Sequence, residues 1–164
     1  MDNEKRGIML TYDIPGIGRI EIENVVFDYN GTIAVDGKLI EAAKELIYKL
    51  RRHVDIHILT ADTYGTVEKQ CKTLGVKAAT FPNEMASISK KEIVEKLNPE
   101  KTICIGNGYN DIEMFKICKI SIAVMEKEGC SGKLLAHSDI VTYSIKDAIE
   151  IIFSENRMKA TLRS

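Results

Sequence analysis

Hydrophobic positions along the chain follow two alternating periods. Short continuous apolar runs, such as Val25-Val26-Phe27 and Ile103-Cys104-Ile105, predict strands buried on both faces of a parallel sheet. Between such runs, apolar residues recur every three or four positions, as from Leu39 to Leu50, which predicts helices that bury one face. The alternation of strand and helix predicts an α/β fold, a three-layer α/β/α Rossmann-like sandwich with a mostly parallel sheet.

The pattern gives approximate bounds for each element. Helix ends are marked by Gly75 and by Asn98-Pro99. The predicted strands are 24–28, 54–59, 76–81, 102–105, 120–124 and 139–142. The predicted helices are 39–50, 67–74, 88–97, 110–118, 133–136 and 145–153.

The N-terminal segment has a different pattern. Residues 8–12 and 19–23 flank Pro15-Gly16-Ile17-Gly18, which predicts a β-hairpin laid on the edge of the sheet. The two glycines precede a strand, which is the wrong context for a nucleotide-binding loop. We therefore expect a single domain over residues 1–164, with the hairpin in 1–23, the core in 24–153 and a basic, frayed tail in 154–164.

Composition narrows the class of protein. The chain has 164 residues, of which 45% are hydrophobic and 29% charged, with a formal net charge of −1, so nothing favours nucleic acid or an anionic membrane as a partner. No apolar stretch has the ~20 residues of a membrane helix, and the polar start is unlike a signal peptide, so we expect a cytoplasmic protein without membrane insertion. The cysteines and histidines lack metal-ligand spacing and are expected to be packing residues: Cys71, Cys104, Cys118, Cys130, His53, His57 and His137.

Three predicted strands end in polar residues suited to phosphate chemistry. The first delivers Asp28 into the turn Tyr29-Asn30-Gly31-Thr32, the second ends in Thr60, and the third runs into the segment 106–111. Any one of these is a weak signal, because Asp, Asn and Gly are ordinary turn residues. Together they matter more, since ligands of parallel sheets bind beyond the carboxyl ends of the strands.

In this order, with Lys90 or Lys91 between the last two, the segments resemble the four motifs of the haloacid dehalogenase-like (HAD) superfamily of phosphotransferases. Residues 106–111, Gly-Asn-Gly-Tyr-Asn-Asp, are similar to the Gly-Asp-Gly-x-Asn-Asp hinge of P-type ATPases, and residues 89–97 to the lysine-bearing helix before it. The resemblance spans roughly Val25 to Phe153 and indicates the soluble P-type ATPase-like branch, or otherwise a capless HAD phosphatase.

The resemblance implies a role for each matching residue. Asp28 would be the nucleophile that forms an aspartyl-phosphate. Lys90 would pair with Asp28 and the phosphate, with Lys91 as the alternative because adjacent lysines leave the register open. Hydrogen bonds to the phosphoryl oxygens would come from Thr60, Gly31 and Asn110. The ligands of a Mg²⁺ cofactor would be Asp28, the Asn30 backbone carbonyl, Asn107 and Asp111.

Two asparagines depart from the family pattern. HAD phosphatases carry an acid-base aspartate two residues after the nucleophile, where this chain has Asn30, and an amide does no acid-base work near neutral pH. Asn107 stands where the main metal-binding aspartate is expected. We therefore expect a Mg²⁺-dependent hydrolase of phosphoric monoesters or acyl phosphates with impaired turnover. The alternative is a catalytically weakened regulatory or phosphate-binding module related to the P-type ATPase phosphorylation domain.

The spacing of the motifs leaves no room for a cap domain. One helix and its connections use up the interval from Asp28 to Thr60, and the same holds from Thr60 to Lys90. Val35-Asp36-Gly37 is expected to mark a short β-hairpin flap. An open site implies a phosphorylated macromolecule as substrate, or a homo-oligomer that covers a site for small molecules.

Overall fold

The computed structural model describes residues 9–61 and 66–164, and it confirms the predicted fold class. The strands are β1 Leu10–Ile14, β2 Gly18–Ile22, β3 Asn24–Asp28, β4 Ala34–Val35, β5 Lys38–Leu39, β6 Asp55–Thr60, β7 Lys77–Thr80, β8 Thr102–Gly106, β9 Ile120–Val124 and β10 Ile140–Thr142. The helices are α1 Glu41–Leu50, α2 Thr66–Leu74, α3 Ala86–Lys96, α4 Ile112–Ile117, α5 Gly132–Leu135, α6 Ile145–Phe153 and α7 Glu155–Leu162. Within these ranges no helix is both long and apolar enough to cross a membrane.

A parallel sheet of six strands, in the order β10-β9-β8-β3-β6-β7, separates two apolar cores. β3 lies inside the sheet, paired in parallel with β6 and β8. Phe27 of β3 packs into the core shared with α1, α2 and α6, and the adjacent Val26 packs into the core shared with α3, α4 and α5. Burial on both faces explains why β3 is a continuous apolar run in the sequence.

The predicted core elements are present with bounds that differ by at most two residues. The helix expected over 110–118 begins as the 3₁₀ turn Tyr109–Asp111 and becomes α-helical only at Ile112. The tighter turn brings the Asp111 carboxylate back onto the N–H groups of Asn107 and Gly108, 3.1 and 3.0 Å away.

The N-terminal hairpin exists, but its predicted position on the sheet edge was wrong. β1 and β2 pair only with each other and form a separate antiparallel sheet; the start of the predicted hairpin, residue 8, lies outside the described residues. The inner face of β1 buries Tyr12 and Ile14, and the Tyr12 O–H donates a hydrogen bond to the Ile152 carbonyl of α6. Burial of this face, rather than strand pairing, places the hairpin.

The predicted frayed tail was also wrong, because residues 155–162 form α7. The Ser154 side chain caps this helix by accepting a hydrogen bond from the Arg157 N–H at 3.2 Å. Met158 is completely buried in the core, and α7 packs on β1. The basic composition of the tail gave no indication of the buried Met158, the apolar anchor that docks this helix.

This anchor predicts that Met158→Ala lowers the free energy of unfolding by about 2 to 5 kcal/mol, because it removes a buried side chain and leaves a cavity. Thr161→Ala, on the exposed face of the same helix, serves as the control and should change it by less than about 0.5 kcal/mol. Urea denaturation of both variants measures the difference, and equal stabilities would contradict the described docking of α7.

Candidate active site

The carboxyl ends of β3, β6 and β8 bring the candidate residues to one edge of the sheet. Asp28 ends β3 and is in register with Leu59, so that Thr60 lies one position beyond it on β6. Asp28 and Thr60 are 7% and 1% exposed. Gly106 ends β8, the neighbour of β3 on the other side. Asp62 and Thr63, which follow Thr60 closely in the sequence, lie outside the described residues.

A buried lysine holds the site together. The Lys90 side chain is 2% exposed, and its Nζ donates to Asp28 Oδ1 at 2.9 Å, Asp111 Oδ1 at 2.7 Å and Asn110 Oδ1 at 2.8 Å. An ammonium has three donors, so these contacts use all of them. Lys91, which the sequence left as the alternative, is partly exposed on the helix surface, and its Nζ pairs with Glu95 Oε1 at 3.8 Å.

Asp111 fixes the turn that follows β8. Its carboxylate is fully buried, with Oδ1 on Lys90 and Oδ2 on the N–H groups of Asn107 and Gly108. A Cβ at Gly106 would come within 2.4 Å of Asp111 Oδ2, so this position needs glycine. Both oxygens of Asp111 are engaged, and three of the roughly four acceptor positions of the carboxylate are used, which leaves one on Oδ1 for the metal it was expected to bind.

Thr32 is a site residue to which the sequence analysis gave no role. It is fully buried, and its hydroxyl lies 3.3 Å from Asp28 Oδ2 and 3.2 Å from Asn107 Oδ1. One hydroxyl proton satisfies only one of these oxygens at a time, so two acceptors converge on one donor. The only sequence feature that could have identified Thr32 as a site residue is its position in the turn directly after Asn30-Gly31.

Gly31 provides room for Asn107. Its N–H, the expected donor to a phosphoryl oxygen, donates here to the Ala34 carbonyl at 2.9 Å. Its φ is +80°, and a Cβ there would lie 2.2 Å from Asn107 Nδ2. The tight turn thus allows Asn107 to approach the end of β3. Asn30 lies exposed at the same turn.

The flap predicted at residues 35–37 is the antiparallel hairpin β4–β5, and two contacts hold it over the site. The hydroxyl of the buried Tyr29 lies 3.0 Å from the Gly37 carbonyl and 2.8 Å from Gln70 Oε1 of α2. At the hairpin tip, the Asp36 N–H donates to Glu128 Oε2 at 3.2 Å. Tyr29 therefore packs beneath the flap, whereas Tyr109 is 65% exposed.

The electrostatics of the site follow from burial and from the two close carboxylates. Burial and the neighbouring Asp111 raise the pKa of Asp28 from 3.8 to about 7, against the opposing effect of Lys90 and Thr32. Burial opposes the charge on Lys90, but Asp28 and Asp111 outweigh it and raise the lysine pKa above its usual value of 10.5. Lys90 therefore stays charged, and the Asp28 carboxyl gains or loses its proton near neutral pH.

The oxygen donors beside Asp28 suit a hard cation, although with few charges. Within residues 9–61 and 66–164, no three His, Cys, Asp or Glu side chains converge on a common metal position. Asp28 Oδ2 and Asn107 Oδ1, however, converge on the single Thr32 hydroxyl. Carboxylate, amide and carbonyl oxygens are the ligands that Mg²⁺ takes in proteins, with water in its remaining positions. These oxygen atoms are therefore the type of ligand that Mg²⁺ prefers, but they carry little negative charge.

Comparisons with known proteins support the family resemblance. Residues 85–149 match the model of a family described as haloacid dehalogenase-like hydrolase. A soluble P-type ATPase-like phosphatase from Methanocaldococcus jannaschii is 26% identical over 153 residues, which are 90% of this chain and 56% of that protein. The chain therefore spans about half the length of that relative. An uncharacterised protein from the same organism is 42% identical over 80 residues, covering 46% of this chain and 86% of the relative.

Solved structures show the same fold at low sequence identity. The 3-deoxy-D-manno-octulosonate 8-phosphate phosphatase from Moraxella catarrhalis, in complex with magnesium, phosphate and its sugar, superposes with a TM-score of 0.69 at 18% identity. The match covers 85% of this chain and 90% of the phosphatase. The six-stranded sheet and its flanking helices are thus shared with a magnesium-containing phosphatase structure.

The contacts of Lys90 predict that Lys90→Met lowers the free energy of unfolding by about 3 kcal/mol or more, because it leaves two buried carboxylates without their cation. Lys91→Met is the matched control, since its exposed pair with Glu95 is worth under about 1 kcal/mol. Chemical denaturation near neutral pH tests both variants, and equal losses would contradict the placement of Lys90.

The raised pKa of Asp28 predicts a pH-dependent stability in the metal-free protein. The folded state holds the Asp28 proton up to about pH 7 and the unfolded state only to about pH 3.8, so ionisation of this group lowers stability as the pH rises between these values. Asp28→Asn removes the titration. The free energy of unfolding of the variant should therefore rise relative to that of the parent protein across this window, by about 4 kcal/mol. A stability difference that stays constant from pH 4 to pH 8 would refute the shift.

Proposed function

The chain belongs to the haloacid dehalogenase-like superfamily, and on that premise we propose that it is a phosphatase or phosphotransferase acting through an aspartyl-phosphate on Asp28. One observation carries the proposal: the Asp28 carboxylate lies at the carboxyl edge of a parallel sheet, 2.9 Å from a buried lysine ammonium. The proposed substrates are phosphoric monoesters or acyl phosphates. The likeness to a soluble P-type ATPase-like phosphatase and the phosphatase fold support this class of reaction.

In the proposed first step, an Asp28 carboxylate oxygen attacks phosphorus, the new O–P bond forms, and the bond from phosphorus to the leaving-group oxygen breaks. Lys90 offsets the charge that gathers between the carboxylate and the phosphoryl oxygens. Thr60 and the side-chain amide of Asn110 are the proposed donors to those oxygens. Asp111 positions Lys90 and the turn that carries Asn107.

The proposed Mg²⁺ ligands are Asp28, the Asn30 carbonyl and Asn107, with Asp111 joining through a bound water. When bound there, Mg²⁺ would screen the repulsion between the nucleophile and the phosphate. The protein contributes one carboxylate where family members contribute more, so we propose weak metal affinity.

Asn30 makes the second half of the reaction slow. An amide neither protonates the leaving oxygen nor removes a proton from the water that must attack the phosphoenzyme. The leaving group then takes its proton from solvent, and the aspartyl-phosphate persists. Loss of a general acid-base typically costs about 10²- to 10⁴-fold in rate.

The same two asparagines favour one other function, a phosphate-binding or regulatory module on the same scaffold. Asn30 supplies no proton, and Asn107 Nδ2 is engaged with the Gly129 carbonyl at 3.1 Å. Such a module would bind phosphate at Asp28 and Lys90 without turnover.

The proposal predicts that Asn30→Asp raises the rate of phosphoenzyme hydrolysis by about 10²- to 10⁴-fold, because it introduces the missing acid-base group. Asn30 is exposed, so the substitution should not disturb folding. Phosphate release from acetyl phosphate and a panel of phosphomonoesters, with and without Mg²⁺, gives the rate. Acid-quenched ³²P-labelling gives the amount of phosphoenzyme.

Asp28→Ala is the control for both measurements and should abolish labelling as well as turnover. Labelling of the parent protein that decays faster in Asn30→Asp supports the proposal. If neither protein is labelled and neither releases phosphate, the binding module is the better account, and beryllofluoride bound by the parent but not by Asp28→Ala would establish it.

A further inference from the structure

A groove of about 310 Å³ lies between α3, α4 and α5, next to the candidate active site. Its lining combines an aromatic ring with cationic and polar side chains. They include Ser87, Tyr109, Glu113, Lys116, Lys133 and His137. No step proposed above uses any of these residues.

The groove shares two walls with the site. On α3, Ser87 precedes Lys90 by three positions, about one helical turn. In the 3₁₀ turn, Tyr109 precedes Asn110, whose Oδ1 accepts a hydrogen bond from Lys90 Nζ at 2.8 Å. A molecule whose phosphate rests on Asp28 and Lys90 would therefore find this groove directly beside it.

The charges of the groove are predominantly positive. Glu113 is paired with Lys116 at 2.9 Å, and Lys116, Lys91 and His137 together hold the pKa of Glu113 below its usual value. Lys133 has no carboxylate within ion-pair distance among the described residues; its Nζ lies 5.8 Å from the centroid of the Tyr109 ring. The groove thus presents a cation that the described part of the chain leaves unneutralised, over an exposed aromatic face.

We propose that this groove holds the leaving group of the substrate, and that the leaving group carries a second anionic group bound by Lys133. The inference rests on the proposed function, because it assigns the substrate class of the same site: phosphate esters of an anionic alcohol. Lys133 would select the anion, and the ring of Tyr109 would pack against the carbon skeleton. The flap β4–β5 supplies no cation equivalent to Lys133 in this groove.

Matched ligand pairs test this on the Asp28→Asn protein, which binds without turnover. The pairs are 3-phosphoglycerate with glycerol 3-phosphate, and fructose 1,6-bisphosphate with fructose 6-phosphate; they differ in the second anionic group and span two lengths. Calorimetry gives affinities, and NMR amide shifts locate the contacts. In at least one pair, the member with the second anionic group should bind about tenfold more tightly than its partner and should shift the amide signals around Lys133.

Lys133→Gln in the same background should remove this preference. It should leave unchanged the affinity for the member of each pair that lacks the second anionic group. Lys119→Gln is the control, since Lys119 precedes β9 at the opposite edge of the sheet and pairs with Glu100 at 3.6 Å. Both substitutions remove one lysine charge from the surface. Only Lys133→Gln should alter the preference.

Three results would overturn the inference: no preference in either pair, a preference that survives Lys133→Gln, or no binding of any of the four ligands at millimolar concentration. Phosphate release by the parent protein is measured separately. Anion preference at Lys133 without turnover or phosphoenzyme would reject the proposed chemistry and keep the groove, whereas turnover without preference would do the reverse.

Discussion

The Lys90 ammonium, buried between two carboxylates, is the interaction on which the rest of the site depends. It is 2% exposed, and it joins three separate parts of the chain: the end of β3, helix α3 and the turn after β8. A buried ammonium is costly unless anions and hydrogen-bond acceptors surround it, so Asp28, Asp111 and Asn110 have to converge on it. The convergence also brings Asp28 and Asp111 together, and burial together with the charge of Asp111 raises the pKa of Asp28.

The charge balance of this site bears differently on the two halves of the proposed phosphoryl transfer. In that proposal, the Asp28 carboxylate and the Lys90 cation would support attack on phosphorus. Asn30 and Asn107 remove the carboxylates that would handle protons and strengthen metal binding. The same replacement reduces the repulsion that an approaching phosphate dianion meets. Under the proposed function, such a site would favour formation of a covalent phosphoenzyme over its hydrolysis, as in the P-type ATPase domain that the sequence resembles.

The periphery is built from contacts between elements that are distant in the chain. Tyr29, directly after β3, hydrogen-bonds to the flap and to α2. Glu128 connects the flap tip to the loop after β9. On the other side, α3, α4 and α5 form the cationic groove. With a hairpin of two short strands as flap, this groove is where we propose that the leaving group finds specific contacts.

The sequence by itself determined the α/β fold, most element bounds and the residues at the three strand ends, because apolar periodicity and strand-end polarity are local properties of the chain. It left open which of two adjacent lysines enters the site, since side chains of neighbouring helical residues point about 100° apart and only the packing of α3 selects one. It missed Thr32, the docking of α7 through Met158 and the hairpin's position. These depend on which surfaces meet across the folded chain, and only the tertiary structure decides that.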